Sequence, residues 1–195
     1  MSMKWVVVVL ILLTSGLLAC EEAAPFARKY GYHRIDTPEV EERSYQVFDE
    51  ASCPFTFEFP SYGKISRTSS DSCWADIQME PFNLKWHITY RNVYETQKDL
   101  NTHFEEYRKL VYKHTKKATR IQENPIQGPT GKGTIFEIAG NVGTPAQVFY
   151  ADTINSQVMI MSLYFRTALK NDSLAPVISY MKEEVSHAVQ TLRWK

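Results

Sequence analysis

Phe55, Phe57 and Phe59 alternate with Thr56 and Glu58, a period of two that predicts a strand with one dry face. Pro60 closes that run, and Ser61-Tyr62-Gly63-Lys64 reads as a turn. Residues 66–72 are polar and read as a loop, and 74–80 reads as the next strand. Leu84, Trp86, Ile88 and Tyr90 then alternate with Lys85, His87, Thr89 and Arg91, the clearest amphipathic strand in the chain. Near Thr96 the period changes. Leu100, Phe104, Tyr107, Val111 and Ala118 recur at helical spacing, which predicts a helix over about 97–118. Its second half carries Arg108, Lys109, Lys113, Lys116 and Lys117, where the helix dipole favours cations. Strands are expected near 119–127, 133–140, 146–153 and 157–166. Turns are read at Asn124-Pro125, Gly128-Pro129, Gly131-Lys132-Gly133 and Gly143-Thr144-Pro145. The run from Val158 to Phe165 is apolar on both faces, so it should be a central strand covered on both sides. A final helix over 173–192 takes Ser173 as N-cap and Pro176 in its first turn. Its apolar stripe is Leu174, Ile178, Met181, Val185, Val189 and Leu192. Short strands around one long helix, closed by a second, predict a single α+β domain over 44–195 with a largely antiparallel sheet.

The chain ahead of that domain follows a different rule. Lys4 precedes an apolar run of nine residues, 5–13. A membrane-spanning helix needs about 20 such residues, so residues 1–19 read as a cleaved signal. Leu17-Leu18-Ala19-Cys20 fits the box of bacterial lipoprotein signals, cut before the cysteine, whose thiol then carries a diacylglycerol. Cys20 is thus the expected lipidation site, with an ordinary secretory signal as the alternative. Two or three acyl chains hold a protein stably where one does not. Residues 20–43 read as tether and arm, with Pro25, Pro38 and few aliphatics. Within them Tyr30, Tyr32, His33 and Arg34 form an aromatic and cationic cluster without helix or strand period. Tyr and Arg are over-represented among interface anchors, which makes these four candidate partner-binding residues. The alternative is an arm that packs on its own domain as a strap.

Composition narrows the function. Lys plus Arg is 22 and Asp plus Glu is 22, a net charge of zero, which argues against nucleic-acid binding. Apolar residues at 44% and aromatics at 13% exclude a disordered chain. With Cys20 lipidated, Cys53 and Cys73 remain as an even pair in an exported protein. A disulfide between them is one reading and two buried thiols the other. Gly128-Pro-Thr-Gly-Lys-Gly133 misses the phosphate-loop pattern, because Ile126 stands where its first glycine belongs and Gly133 where its hydroxyl belongs. The segment reads as a hairpin loop. No two of His33, His87, His103, His114 and His187 have the i, i+4 spacing of a helical zinc site. No nucleophile and base stand at motif spacing. No catalytic residue, metal or cofactor is therefore expected.

Several stretches resemble the gliding motility lipoprotein GldD family of the Bacteroidetes. They are the box with Cys20, the arm Arg28-Lys-Tyr-Gly-Tyr-His-Arg-Ile-Asp-Thr-Pro38, and Cys53-Pro-Phe-Thr-Phe-Glu-Phe-Pro60. Cys73-Trp74, Tyr112-Lys-His114 and Lys117-Ala118 follow, then Gly140-Asn141, Leu163-Tyr-Phe165, Asn171-Asp-Ser-Leu-Ala-Pro-Val177 and the final Thr191-Leu-Arg-Trp-Lys195. The resemblance implies a lipid-anchored, non-enzymatic accessory or assembly component of the gliding machinery, linked to type IX secretion. Its partners would be envelope proteins of that machinery and the membrane facing the periplasm. It brings no catalytic residues. The order of elements also resembles PsbP-like domains, which implies, as an alternative, a periplasmic module binding a small ligand or a client protein.

Overall fold

The computed structural model describes residues 35–67, 73–96, 98–152, 154, 157–166 and 171–195. Cys20, Tyr30, Tyr32, His33 and Arg34 lie outside the described residues, as does the signal segment. Ten strands are described: β1 (Tyr45–Phe48), β2 (Phe55–Pro60), β3 (Lys64–Arg67), β4 (Trp74–Met79), β5 (Leu84–Asn92), β6 (Ala118–Gly128), β7 (Gly131–Gly140), β8 (Ala146–Asp152), β9 (Gln157–Phe165) and β10 (Arg193–Trp194). Two α-helices accompany them, α1 (Leu100–Tyr112) and α2 (Asn171–Thr191). The protein is α+β. Every strand pairing is antiparallel. Seven strands form the main sheet in the order β3-β4-β5-β9-β8-β7-β6, and β1-β2-β10 form a small one.

The two faces of the main sheet are buried differently. Leu84, Trp86 and Ile88 of β5 point to one side with Met159, Met161 and Leu163 of β9 and Val148 and Tyr150 of β8. There they meet Phe55, Phe57 and Phe59 of the small sheet and the α2 stripe of Val177, Met181, Val185 and Val189. On the other side Phe136 and Ile138 of β7, Phe149 and Ala151 of β8 and Val158 of β9 meet Tyr107 and Val111 of α1. β9 occupies the middle of the sheet and has helices on both faces, which explains why its sequence is apolar at both parities. At β5 only one parity is apolar, because α1 does not extend over that half of the sheet.

Several boundaries shift from the sequence pattern, each for a local reason. α1 starts at Leu100 because the Asp99 carboxylate accepts the Thr102 N–H at 2.6 Å as N-cap; Lys98 precedes it outside the helix, and residue 97 lies outside the described residues. At Lys113 it tightens into a 3-10 turn, Lys113–Lys116, so the helical path ends before Ala118, which opens β6. α2 starts at Asn171, which puts Pro176 inside the helix rather than in its first turn and costs one backbone hydrogen bond. Asn124-Pro125 is not a turn. Both residues lie within β6, where Pro125 pairs with Thr134. β6 is the last strand of the sheet, and an edge strand tolerates a residue that cannot donate outward. β3 includes Ser66 and Arg67, the first residues of the loop read at 66–72, and residues 68–72 lie outside the described residues.

Two glycines are required by the backbone. Gly140 has φ +112°, in the left-handed region, where β7 ends. Gly133, just past the tight β6–β7 hairpin, lies so close to β8 that a Cβ would run into the Phe149 carbonyl. The glycines of this segment therefore serve a hairpin and close strand packing.

Candidate functional site

Antiparallel register places Asp76 of β4 beside His87 of β5, His87 beside Ser162 of β9, and Ser162 beside Gln147 of β8. This polar row crosses the middle of the main sheet on the α1 side. Its members are polar because they occupy the parity that faces away from the main core. Asp76, Ser162 and Gln147 are nonetheless buried. Asp76 accepts from Lys85 Nζ at 2.7 Å, and its other oxygen lies 2.7 Å from His87 Nδ1. Burial alone would raise the Asp76 carboxyl pKa. The hydrogen bonds from Lys85 and His87 outweigh it and leave the pKa below its ordinary value. His87 Nε2 lies 3.3 Å from Thr89 Oγ1. Further along, the Tyr107 hydroxyl donates to Gln147 Oε1 at 2.8 Å, and burial raises that phenol. The Gln147 amide nitrogen reaches Thr144 at 3.2 Å and His114 Nε2 at 3.3 Å. Burial lowers the His114 pKa, which suits the neutral, accepting ring this contact needs.

Asp76, His87 and Thr89 stand in the order of a hydrolase relay, but the β5 backbone beside them supplies no oxyanion donors. An acyl-transfer site needs N–H donors aimed at a developing oxyanion. β5 has a strand on each side, and its backbone groups are committed to β4 and β9. Asp76 is satisfied by Lys85 and His87, and Gln147 by Tyr107, Thr144 and His114, so both ends of the row are hydrogen-bonded within the fold. Above it the half of the face not covered by α1 is lined by Trp74 and Tyr164, 42% and 37% exposed, with Lys85 and His87 between them.

A second polar cluster lies where the chain enters the small sheet. Glu184 of α2 is 1% exposed. Arg43 reaches it at 3.5 Å and Glu183 at 2.8 Å, and lies 5.0 Å over the Tyr180 ring. The Tyr45 hydroxyl donates to Glu184 at 3.5 Å, and its ring stacks on His187 at 3.8 Å. His187 pairs with Glu58 of β2 at 2.8 Å. Burial raises the Glu184 pKa, and Arg43, Tyr45 and Tyr180 offset only part of that. Together these contacts strap residues 43–45 to α2.

Cys53 and Cys73 are brought together as a bonded pair with Cα atoms 5.1 Å apart, both buried in the main core. The pair ties the approach to β2 to the approach to β4. Ile35, at the end of the arm's aromatic stretch, packs against the same core. His87, read as a polar-face histidine, is a partner of Asp76. Alternation marked both residues as polar, but only the strand order reveals the pair. Glu184 had no sequence signal, since it interrupts no stripe and resembles any solvated helix residue. Among the described residues no three His, Cys, Asp or Glu side chains converge as a metal site. No helix among them is long and apolar enough to cross a membrane.

The family model described as "Gliding motility lipoprotein GldD" matches residues 22–194. The chain belongs to the gliding motility lipoprotein GldD family. That membership makes it an accessory protein of gliding motility and places it with the lipid-anchored proteins of the cell envelope. No curated protein matches the chain in sequence. In structure it is similar to the Saccharomyces cerevisiae Ran-binding protein Mog1p, with a TM-score of 0.52 and 11% identity over 78% of this chain and 96% of that one. It is also similar to cyanobacterial PsbP (CyanoP) from Synechocystis sp. PCC 6803, with a TM-score of 0.45 and 8% identity over 82% and 98% of the two chains. The Mog1p likeness concerns the fold alone.

Proposed function

We propose that the chain is a non-enzymatic assembly component of the gliding machinery, coupled to type IX secretion and held at the periplasmic side of a membrane by lipid on Cys20. The family match, which runs from just past Cys20 almost to the final residue, carries this reading. The β5 backbone beside Asp76, His87 and Thr89 is committed to β4 and β9, which supports the non-enzymatic reading. Tyr30, Tyr32, His33 and Arg34 are the proposed contacts to envelope partners, on a short arm between lipid and folded unit. The alternative, a module binding a client or small ligand, would use the open face between Trp74 and Tyr164.

Two variants test the proposal, one at the anchor and one at the arm. Cys20→Ser should move the protein out of the lipid-modified membrane fraction or block its processing, and abolish gliding and type IX export. Mass spectrometry of the mature N-terminus should find acylated Cys20; an unmodified terminus at another residue refutes the anchor. Tyr32→Ala with Arg34→Ala should leave the anchor and the melting temperature intact and remove co-purifying envelope proteins. Full motility in that variant refutes the arm as docking surface.

A further inference from the structure

Residues 107–122 contain Arg108, Lys109, Lys113, Lys116, Lys117 and Arg120 and no Asp or Glu, in a chain of zero net charge. The structure gathers them at the end of α1, the following 3-10 turn and the start of β6. Arg108 is neutralised by Glu123 at 2.8 Å. Lys109, Lys113, Lys116, Lys117 and Arg120 are exposed, and none forms an ion pair with a described carboxylate. Glu106, the acid nearest Lys109 along the helix, is tied to Lys98 at 2.6 Å. Lys113 follows Lys109 by one helical turn, and Lys116 lies three residues further on, where a 3-10 turn aligns side chains. Leu110, 53% exposed, and Tyr112, 37% exposed, stand among the cations. A helix terminus needs one or two cations to complement its dipole. Five unpaired ones flanking an exposed leucine and tyrosine exceed that need.

We propose that this ridge is a second membrane contact, which lays the folded unit on anionic glycerophospholipid headgroups. The occupant follows from charge complementarity and from proximity. Lys and Arg near an anionic leaflet are each attracted, and Leu and Tyr suit the headgroup boundary. The inference extends the lipid-anchor reading. Some 15 residues separate Cys20 from the first described residue, a contour of at most about 50 Å, which keeps the folded unit near the bilayer that holds the lipid.

The test uses full-length Cys20→Ser protein, which has no acyl chain on residue 20, with phosphatidylcholine vesicles and with vesicles that also contain phosphatidylglycerol. The readout is the phosphatidylglycerol-dependent binding compared between two triple variants, so binding by residues 1–19, with the cationic Lys4, is common to both and cancels, and failure of Cys20 to be lipidated leaves this result untouched. Binding should be tighter with phosphatidylglycerol and should fall as salt rises. Lys113→Gln, Lys116→Gln and Lys117→Gln together should weaken the phosphatidylglycerol-dependent part about 100-fold. Lys64→Gln, Lys132→Gln and Arg166→Gln together remove the same charge elsewhere and should change it less than about tenfold. Equal binding to both lipids, or an equal loss in the two triple variants, overturns the proposal.

Discussion

Replacing Cys53 and Cys73 by Ala together removes the covalent tie between the approaches to β2 and β4. The two residues are 20 apart in sequence. In the chain-entropy account, releasing a loop of that length returns about 3 kcal/mol of freedom to the unfolded chain. The compact unit runs from 34 to 195, and unfolding entropy is about 2.1 cal/mol/K per residue near 60 °C. The melting temperature should therefore fall by roughly 10 °C. Alanine is chosen because both sulfurs are buried and a serine hydroxyl there would add a desolvation cost of its own. The assay is calorimetry of the double variant, of the oxidised protein and of the protein denatured and refolded in reductant. Reduced wild type should melt with the double variant. Amide exchange should show β1 and β2 losing protection first, since the bridge anchors their end of the core. The reasoning fails if reduction or substitution moves the melt by less than about 2 °C, or if peptide mapping of the native protein finds two free thiols.

Two carboxylates make opposite predictions. Asp76 has a lowered pKa in the fold, so its contribution is complete above the ordinary carboxylate pKa and is lost as pH falls through the depressed value. Asp76→Asn should cost about 2 kcal/mol near neutral pH, and the gap to wild type should close on acidification; a gap independent of pH refutes this. Glu184 has a raised pKa, so the fold is favoured by its protonated form and loses stability as pH rises from the ordinary carboxylate pKa through the raised one. Glu184→Gln should gain on wild type across that rise and then level off, as read from melting temperature against pH; a gain that shrinks with pH sinks the assignment.

The strands were legible wherever one face is dry and the other wet. The phenylalanines of β2 and the Leu84–Tyr90 alternation of β5 are that pattern. The apolar run of β9 revealed its central place, because only a strand covered on both sides can be apolar at both parities. β10 was not legible: two residues carry no period, and Trp194 joins a sheet only because β2 lies open beside it. Pro125 was misread because a proline signals a turn until the edge position of β6 is known. The Asp76–His87 pair and the Glu184 cluster depend on neighbours distant in sequence. Local pattern reports which face a side chain takes, and pairing across strands or between Arg43 and α2 lies beyond it.

The strand order divides the main sheet into two meanders. β3-β4-β5 and β6-β7-β8-β9 each connect neighbours in sequence, and the β5–β9 ladder alone joins them. Its partners are 65 to 81 residues apart, from Asn92 with Gln157 to Leu84 with Phe165. Each meander can thus assemble from nearby contacts, while the seam must wait for a loop of at least 65 residues to close. Trp86 sits in that seam, wholly buried and opposite Leu163. Its burial needs both meanders in place, so Trp86 fluorescence reads the joining of the two halves of the sheet.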